Sequence, residues 1–260
     1  MHTPLSWRKI PSAKTLFVMI FMAGLGLIVS VVILLYLSLN LISSKANEID
    51  EQRTALSVQG AVQTSVNRVW SLVIDNAVWD DAVREAYRPA LDVDWLYNTW
   101  GAGYKVNNLY DGTFVLDERF RVLWGSFRSQ PFTEKNLDFF GDGLKSLIQM
   151  HPNALKSDKN IYAGITRTRA GIAFVGVGLI RPTMGSLQAG DNTRRFLVIT
   201  RHINPQILRD LGNTFQIDDL TFTPEQITDV SVPLKSASGE VLGYLSWTPR
   251  LPGAAAAKAA

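Results

Sequence analysis

The feature that most constrains this chain is an uncharged, apolar stretch near its N-terminus. Residues 15–42 contain no Asp, Glu, Lys or Arg and consist mostly of large aliphatic and aromatic residues, Ala and Gly. A helix of this length exceeds the roughly 20 residues needed to cross a bilayer. A cleaved signal peptide is the competing interpretation, but its apolar core is shorter and ends in small residues, whereas this stretch leads to Leu39, Leu41 and Ile42. We therefore expect a membrane anchor.

Charged residues beside the apolar stretch predict its orientation. Arg8, Lys9 and Lys14 precede it, whereas Lys45 is followed by three acidic residues within six positions. Basic residues mark the cytoplasmic side of a membrane helix, so the N-terminus is predicted to lie in the cytoplasm. The predicted division of the chain is a cytoplasmic N-terminus (1–14), a membrane helix (15–42), an exterior domain (43–253), and the start of a truncated second membrane helix or a tail (254–260).

Composition excludes several functions. The formal net charge is only +3 and the basic residues are dispersed, which argues against a nucleic-acid partner. The chain has no cysteine and three histidines, so it cannot build an ordinary zinc cage or use thiol catalysis. We expect no metal and no cofactor.

The exterior region begins with helical periodicity. Residues 46–86 lack proline and place apolar side chains near the helical period, which predicts that the membrane helix continues into the exterior domain until Pro89. A second helix, capped by Asp92 or Asp94, is predicted to carry Trp95 and Trp100.

Strands dominate the remainder of the sequence. Alternating and aromatic-rich segments predict an α+β fold in which the long helix packs on an antiparallel sheet. The predicted elements are hairpins at 112–116 with 121–127 and 161–168 with 171–180, strands at 195–202, 215–222, 228–234 and 239–248, and short helices at 144–150 and 205–211, the last closed by Gly212.

The segment DNAVWDD, residues 75–81, is the most distinctive polar stretch. If it is helical, Asp75 and Trp79 lie one turn apart, as do Asn76 and Asp80, so one face presents two carboxylates, an amide and an indole. For any one of these residues a capping or core role is the simpler interpretation. The set as a whole indicates a site.

Several ordered segments resemble one family. They are Asp75, Trp79 and Asp80, DWLYNTW (94–100), FVLDERFRVLW (114–124), RFLVITRHINPQILRDL (195–211) and GYLSWTPRLPG (243–253). Over about residues 46–253 the chain resembles the type-four CHASE domains, which are periplasmic sensors of bacterial inner-membrane receptors. The resemblance implies a Cache- or PAS-like sheet, a long dimer-forming helix, and a second membrane helix. It also implies an output domain, frequently GGDEF with or without EAL, that makes or degrades cyclic di-GMP; histidine kinases and other outputs also occur.

Sensing is therefore the leading functional hypothesis. The partners expected are a small ligand or a periplasmic protein, a second copy of the chain, and the membrane. In a ligand pocket, carboxylates would accept hydrogen bonds from donors of the ligand, and aromatic rings would cover its flat or cationic groups. An arginine would bind an anionic group of the ligand. The predicted ligand-binding residues are Asp75, Trp79, Asp80, Trp95, Tyr97, Trp100 and Arg181.

Two alternatives remain open from the sequence. The chain could be a structural or adaptor protein whose aromatic residues bind a periplasmic protein. Asp75 and Asp80 could also act as the acid and base of a hydrolase, although no nucleophile elbow, phosphate loop or metal cluster accompanies them. The chain itself is expected not to be an enzyme.

Overall fold

The computed structural model describes residues 12–106, 108–149, 161–184 and 194–259. The chain forms two compact units, one of residues 53–249 and one of residues 1–52 with 250–260. The fold is α+β, as predicted. The helices are α1 (Ala13–Ala77), α2 (Asp80–Ala86), α3 (Val93–Leu96), α4 (Gly103–Val106), α5 (Gly143–Gln149), α6 (Pro205–Phe215) and α7 (Pro252–Ala259). The strands are β1 (Gly112–Leu116), β2 (Val122–Phe127), β3 (Gln130–Pro131), β4 (Ile161–Thr168), β5 (Gly171–Leu179), β6 (Phe196–His202), β7 (Thr221–Thr223), β8 (Ser231–Lys235) and β9 (Val241–Ser246).

The N-terminal unit contains the apolar part of α1. Its side chains from Leu16 to Ile42 are exposed on every face, with Phe17 72% exposed, and the helix reaches a mean hydropathy of 2.9. An all-round apolar surface of this kind is suited to lipid and not to water. Among the described helices, α1 alone is long and apolar enough to span a membrane.

Helix α7 packs against α1 within this unit. The Gly253 amide donates to the Asn47 side chain at 2.8 Å, and a Cβ at Gly253 would collide with the backbone of Ser43. Only a glycine allows the two backbones to approach this closely. Small residues at a helix crossing are the usual means of close packing at or within a membrane.

A six-stranded antiparallel sheet forms the centre of the larger unit. Its order is β3-β2-β1-β6-β5-β4. Both predicted hairpins are confirmed, and the second turns tightly, since Thr168 pairs directly with Gly171. The turn between β1 and β2 is built around Asp117, whose carboxylate accepts from the backbone and side chain of Arg121 and from the backbone of Arg119 at 2.7–2.9 Å. Burial would raise the pKa of Asp117, but these hydrogen bonds outweigh it and hold the pKa below its ordinary value.

The C-terminal half of α1 lies on one face of this sheet. Its buried stripe consists of Val58, Ala61, Ser65, Val69, Val73 and Ala77. Gly176 and Gly178 on β5 form a notch for it, because a Cβ at these positions would lie 2.7 and 2.6 Å from methyl groups of Val73. The helix therefore packs almost directly on the strand backbone.

The opposite face carries a second, phenylalanine-rich core. Phe114, Phe139 and Phe140 stack edge-on or tilted within 5.0–5.8 Å of one another, beneath α5. The three-stranded sheet β7-β9-β8 adds Val232, Leu234, Leu242 and Leu245 to the core on the helix side.

Two elements predicted in the C-terminal part of the chain are wrong. Helix α6 continues through Gly212 to Phe215 and ends at Gln216, whose backbone is left-handed (φ 56°, ψ 44°). A Cβ at Gly212 would lie 2.9 Å from the Ile217 carbonyl oxygen, so this glycine serves close packing and does not end the helix. The strand predicted at 215–222 is consequently reduced to Thr221–Thr223.

Candidate functional site

The predicted site lies where the long helix ends. Helix α1 stops at Ala77, Trp79 is extended (φ −163°, ψ 157°), and α2 begins at Asp80. The expectation that residues 75–81 form one helical face is therefore wrong. The cause is a long-range pairing that sequence periodicity does not contain: Val78 bridges Arg181 in parallel, and the Arg181 amide donates to the Ala77 carbonyl at 3.0 Å.

Four tryptophans form a continuous ladder beside this break. Trp79 stacks on Trp95 with centroids 5.8 Å apart, and Trp95 meets Trp100 edge-on at 5.5 Å. Trp100 then contacts Trp124 of β2 at 6.5 Å. Such aromatic pairs contribute about 0.5–1.5 kcal/mol each beyond the area they bury. Three of the rings were predicted as site residues, whereas Trp124 was not.

Local hydrogen bonds hold the ladder in place. The Asp92 carboxylate accepts from the Trp95 amide at 2.9 Å, so Asp92, one of the two predicted candidates, is the N-cap of α3, and Asp94 is not. A single π-helical turn (Tyr97–Gly101) then turns Trp100 into the core, where it is fully buried. The Tyr97 hydroxyl donates to the Ser129 carbonyl at 3.2 Å. Tyr97 and Trp100 therefore have structural contacts that leave them less available to a ligand.

The polar residues of the predicted site stand at its surface. Asp75 is exposed and has no hydrogen bond or ion pair with another described residue. Asp80 is also exposed and accepts from the Thr183 amide at 3.2 Å. Within residues 12–106, 108–149, 161–184 and 194–259, the Arg181 guanidinium makes no hydrogen bond or ion pair. The structure thus brings together the backbones around Asp80 and Arg181, next to the exposed end of the tryptophan ladder.

Tyr87 fixes the far end of α2 to the sheet. Its hydroxyl donates to the Ile180 carbonyl at 3.1 Å and accepts from the Arg195 amide at 2.9 Å. The Arg195 guanidinium donates to the Ala86 carbonyl and lies 5.4 Å over the Tyr87 ring. Burial raises the pKa of Tyr87, so the hydroxyl keeps its proton and can serve as donor. We call residues 75–100, which carry Trp79, Trp95 and Trp100, the tip of the domain. The contacts of Tyr87 attach its α2 part to the sheet.

Other cavities occur away from the predicted residues. A polar crevice of about 460 Å³ lies between α5, the end of β4 and the β8–β9 turn, with Thr166, Arg167 and Thr168 in its wall. A groove of about 350 Å³ follows Val62 and Val66 of α1. These two cavities are lined by residues other than the seven predicted ones.

Sequence reasoning also missed a buried polar pair, Asp111 and His202. The two residues meet because β1 and β6 pair with Gly112 opposite Thr200. That register is a property of the folded sheet, so no sequence signal pointed to the pair.

An apolar helix long enough to cross a membrane leads into an α+β domain that exposes aromatic and charged side chains beside the helix break. The model of the CHASE4 domain family matches residues 61–223, more than half of the chain. The protein belongs to the CHASE4 domain family, which confirms the resemblance found in the sequence.

Solved structures were also compared with the chain. Two structures of the periplasmic domain of LuxQ from Vibrio cholerae align with TM-scores of 0.44 and 0.43 at 11% and 10% identity. Each alignment covers 75% of this chain, and 95% and 97% of the respective LuxQ chains. No curated protein sequence matches the chain.

Proposed function

We propose that this protein is the signal-sensing input module of a bacterial inner-membrane receptor and that its CHASE4 domain lies in the periplasm. The observation that carries the proposal is the continuity of α1, which runs without a break from the apolar segment to the tryptophan ladder of a CHASE4 domain. A ligand that favours one arrangement of the tip would bias the position of the same helix that enters the membrane.

The topology is tested with an alkaline phosphatase fusion after Arg250. The enzyme is active only outside the cytoplasm, so the proposed orientation requires an active fusion. A stable, expressed fusion without phosphatase activity would contradict the periplasmic location.

The ligand site is proposed at the exposed end of the ladder. Asp75, Asp80 and Arg181 supply charge, and the half-buried rings of Trp79 and Trp95 supply an aromatic wall. Tyr97 and Trp100 support these rings from behind. A differential affinity of about 1–3 kcal/mol between two states is enough to change output several-fold to a hundredfold.

The site is tested by joining the chain to a cytoplasmic reporter. Asp75→Asn and Asp80→Asn should change reporter output while the melting temperature of the domain stays nearly constant, because each change preserves shape. Trp79→Phe should also change the output, with a lower melting temperature because it removes the hydrogen bond from the indole to the Asn76 carbonyl. Asp94→Asn is the matched control, since Asp94 is an exposed carboxylate in the first turn of α3. Unchanged output from all three variants would exclude the tip as the site.

We further propose a parallel homodimer and a cyclic di-GMP enzyme as output, both on the family resemblance. The helical stripe of residues 46–73 predicts a dimer contact at Val62 and Val66, but both side chains are partly buried against their own domain. We therefore propose the contact at Leu56, which is 68% exposed. A single cysteine at Leu56 should crosslink in membranes better than one at exposed Thr64. Equal crosslinking at the two positions would exclude this face of α1 as the dimer contact.

The cyclic di-GMP output is tested with the tip variants in the complete receptor. Cyclic di-GMP levels that these variants leave unaffected would exclude a cyclic di-GMP enzyme as the output.

A further inference from the structure

A further cavity lies on the phenylalanine-rich side of the six-stranded sheet, at the turn of the β1–β2 hairpin. Its volume is about 280 Å³, and it lies between that turn, residues 136–138 and α5. Phe120, Leu137 and Ile148 form its apolar part. Leu137 and Ile148 are buried and the Phe120 ring is half-buried. The seven residues predicted from the sequence lie outside this cavity, so it is separate from the ligand site proposed beside the tryptophan ladder.

Three basic side chains line the same cavity, those of Arg119, Arg121 and Lys145. The Arg121 guanidinium is held through Nε, 2.7 Å from the Asp117 carboxylate. The side chains of Arg119 and Lys145 are exposed, and neither makes a hydrogen bond or ion pair with another residue that the structure describes. The cavity therefore places two cations with unused donors beside apolar surface.

The nearby carboxylates cancel only part of this charge. Asp117 pairs with Arg121, and Asp138, in the cavity wall, accepts from the Asn136 side chain and keeps its charge. Glu118 lies in the same turn, but its side chain is exposed and does not line the cavity. Three cations against two carboxylates leave a surplus of one positive charge. The charge balance at the wall favours a ligand with a single negative charge.

The backbone of Phe120 is strained in a way that the turn itself does not require. Its φ is 59°, in the left-handed region where glycine is usual and a bulky residue is an outlier. The turn closes through two backbone hydrogen bonds, from the Phe120 amide to the Asp117 carbonyl and from the Asp117 amide to the Arg121 carbonyl. A glycine at 120 could keep both. Phenylalanine instead packs one part of its ring on Phe196, at a centroid distance of 5.5 Å, and leaves the other part in the cavity wall.

We propose that this cavity binds a small organic monoanion. The apolar body of the ligand, an aromatic or short branched group, lies against Phe120, Leu137 and Ile148. Its carboxylate receives hydrogen bonds from Arg119 and Lys145, and the planar guanidinium can bind both carboxylate oxygens. A cavity of about 280 Å³ lies at the small end of ligand pockets, so it admits a compact acid and not a long acyl chain.

Strain at Phe120 fits this proposal. A left-handed backbone at a residue other than glycine persists where the surrounding structure fixes it, and such residues cluster at ligand sites. Here the turn around Asp117 fixes the backbone, because its carboxylate accepts from the amides of Arg119 and Arg121 and from the Arg121 guanidinium. The same carboxylate thus holds the aromatic wall and one of the cations in place before a ligand arrives.

Binding is tested by calorimetry on the full-length chain in nanodiscs, with 2-naphthoate as the probe. The heat of titration into empty nanodiscs is subtracted, because an aromatic acid also enters lipid. We expect saturable binding with a Kd of about 1 mM or tighter, as for a small ligand with ordinary contacts. The uncharged analogue 2-naphthalenemethanol should bind at least about tenfold more weakly, because it cannot use the two cations. No saturable binding of naphthoate, or equal affinity for the alcohol, would overturn the proposal.

Charge variants locate the site. Arg119→Gln and Lys145→Gln should each weaken naphthoate binding about three- to tenfold at an unchanged melting temperature, because neither side chain has a partner to lose. Lys235→Gln is the matched control, since it removes the same charge from an exposed position on β8, outside the cavity. It should leave the affinity unchanged. Wild-type affinity in the double variant of Arg119 and Lys145 would overturn the proposal.

The aromatic wall is tested with Phe120→Gly. This change removes the ring and relieves the backbone strain, so binding should weaken about tenfold while the melting temperature changes little. Wild-type affinity in Phe120→Gly would contradict the assigned wall. If this variant does not fold, the charge variants decide. Each of these measurements reports binding at this cavity and not signalling, so their outcome is independent of the site proposed at the tip.

Discussion

The contact between α1 and β5 predicts that Gly176→Ala destabilises the domain. The added Cβ would lie 2.7 Å from a Val73 methyl, 3.0 Å from a Val69 methyl and 3.2 Å from the Val69 carbonyl oxygen. Ordinary contacts at this atom are 3.4–4 Å, and the carbonyl cannot rotate away. Overpacking of this kind costs about 1–3 kcal/mol, so we expect a loss of about 2 kcal/mol. In urea, with a slope of about 2 kcal/mol/M, the midpoint should fall by about 1 M.

A double-mutant cycle isolates the cause. Val73→Ala alone should cost about 2 kcal/mol, from two buried methyl groups and a partly collapsed cavity. Combined with Gly176→Ala, it should cost at least about 1 kcal/mol less than the sum, because each change relieves the other. Gly60→Ala on α1 is the control: its Cβ would have a single neighbour at 4.0 Å, so helix propensity should make it neutral or stabilising. The proposed close contact would be refuted if the costs of Gly176→Ala and Val73→Ala simply added in the double mutant. It would also be refuted if Gly176→Ala changed the free energy of unfolding as little as Gly60→Ala does.

Three further changes test local features. Asp117→Asn should lower stability by about 1 kcal/mol at pH 7. The pKa of Asp117 is depressed in the folded state, so its stabilisation is present above about pH 3.9 and is lost on acidification through the folded pKa. The difference in stability between Asp117→Asn and the wild type should therefore vanish in acid. A difference that stays constant with pH would contradict this. Asp92→Ala should lower the free energy of unfolding by about 1 kcal/mol and shift the tryptophan emission. Asp94→Ala should do neither. Equal effects of the two variants would contradict Asp92 as the N-cap. Gly253→Ala should accelerate trypsin cleavage after Arg250 relative to Ala255→Ser, and equal rates would mean that α7 tolerates a side chain there.

Features with local causes were predictable from the sequence. The two hairpins were found because strand alternation and turn residues lie within a few positions of each other. The Asp92 cap was found for the same reason. The apolar segment of α1 needed only composition and length.

Features with distant causes were not predictable. The break at Trp79 depends on the pairing of Val78 with Arg181, which lies 103 residues further along the chain. The end of α6 is set by the left-handed Gln216 and by the hydrogen bond from the Ile217 amide to the Gly212 carbonyl, and not by the glycine itself. Asp111 and His202 meet only after the register of β1 and β6 is set. For the site, the sequence named three of the four tryptophans of the ladder but assumed one continuous helix through residues 75–81.

The tryptophan ladder also gives the protein an internal optical probe. The four indoles run from the half-exposed Trp79 to the buried Trp124, and neighbouring ring centroids are 5.5–6.5 Å apart. At these distances the excited states of neighbouring rings are electronically coupled. A densely packed interior has low compressibility, and a displacement of Trp79 must therefore shift the rings behind it. Near-ultraviolet circular dichroism of the unlabelled protein should consequently report events at the surface of the tip through chromophores fixed in the core.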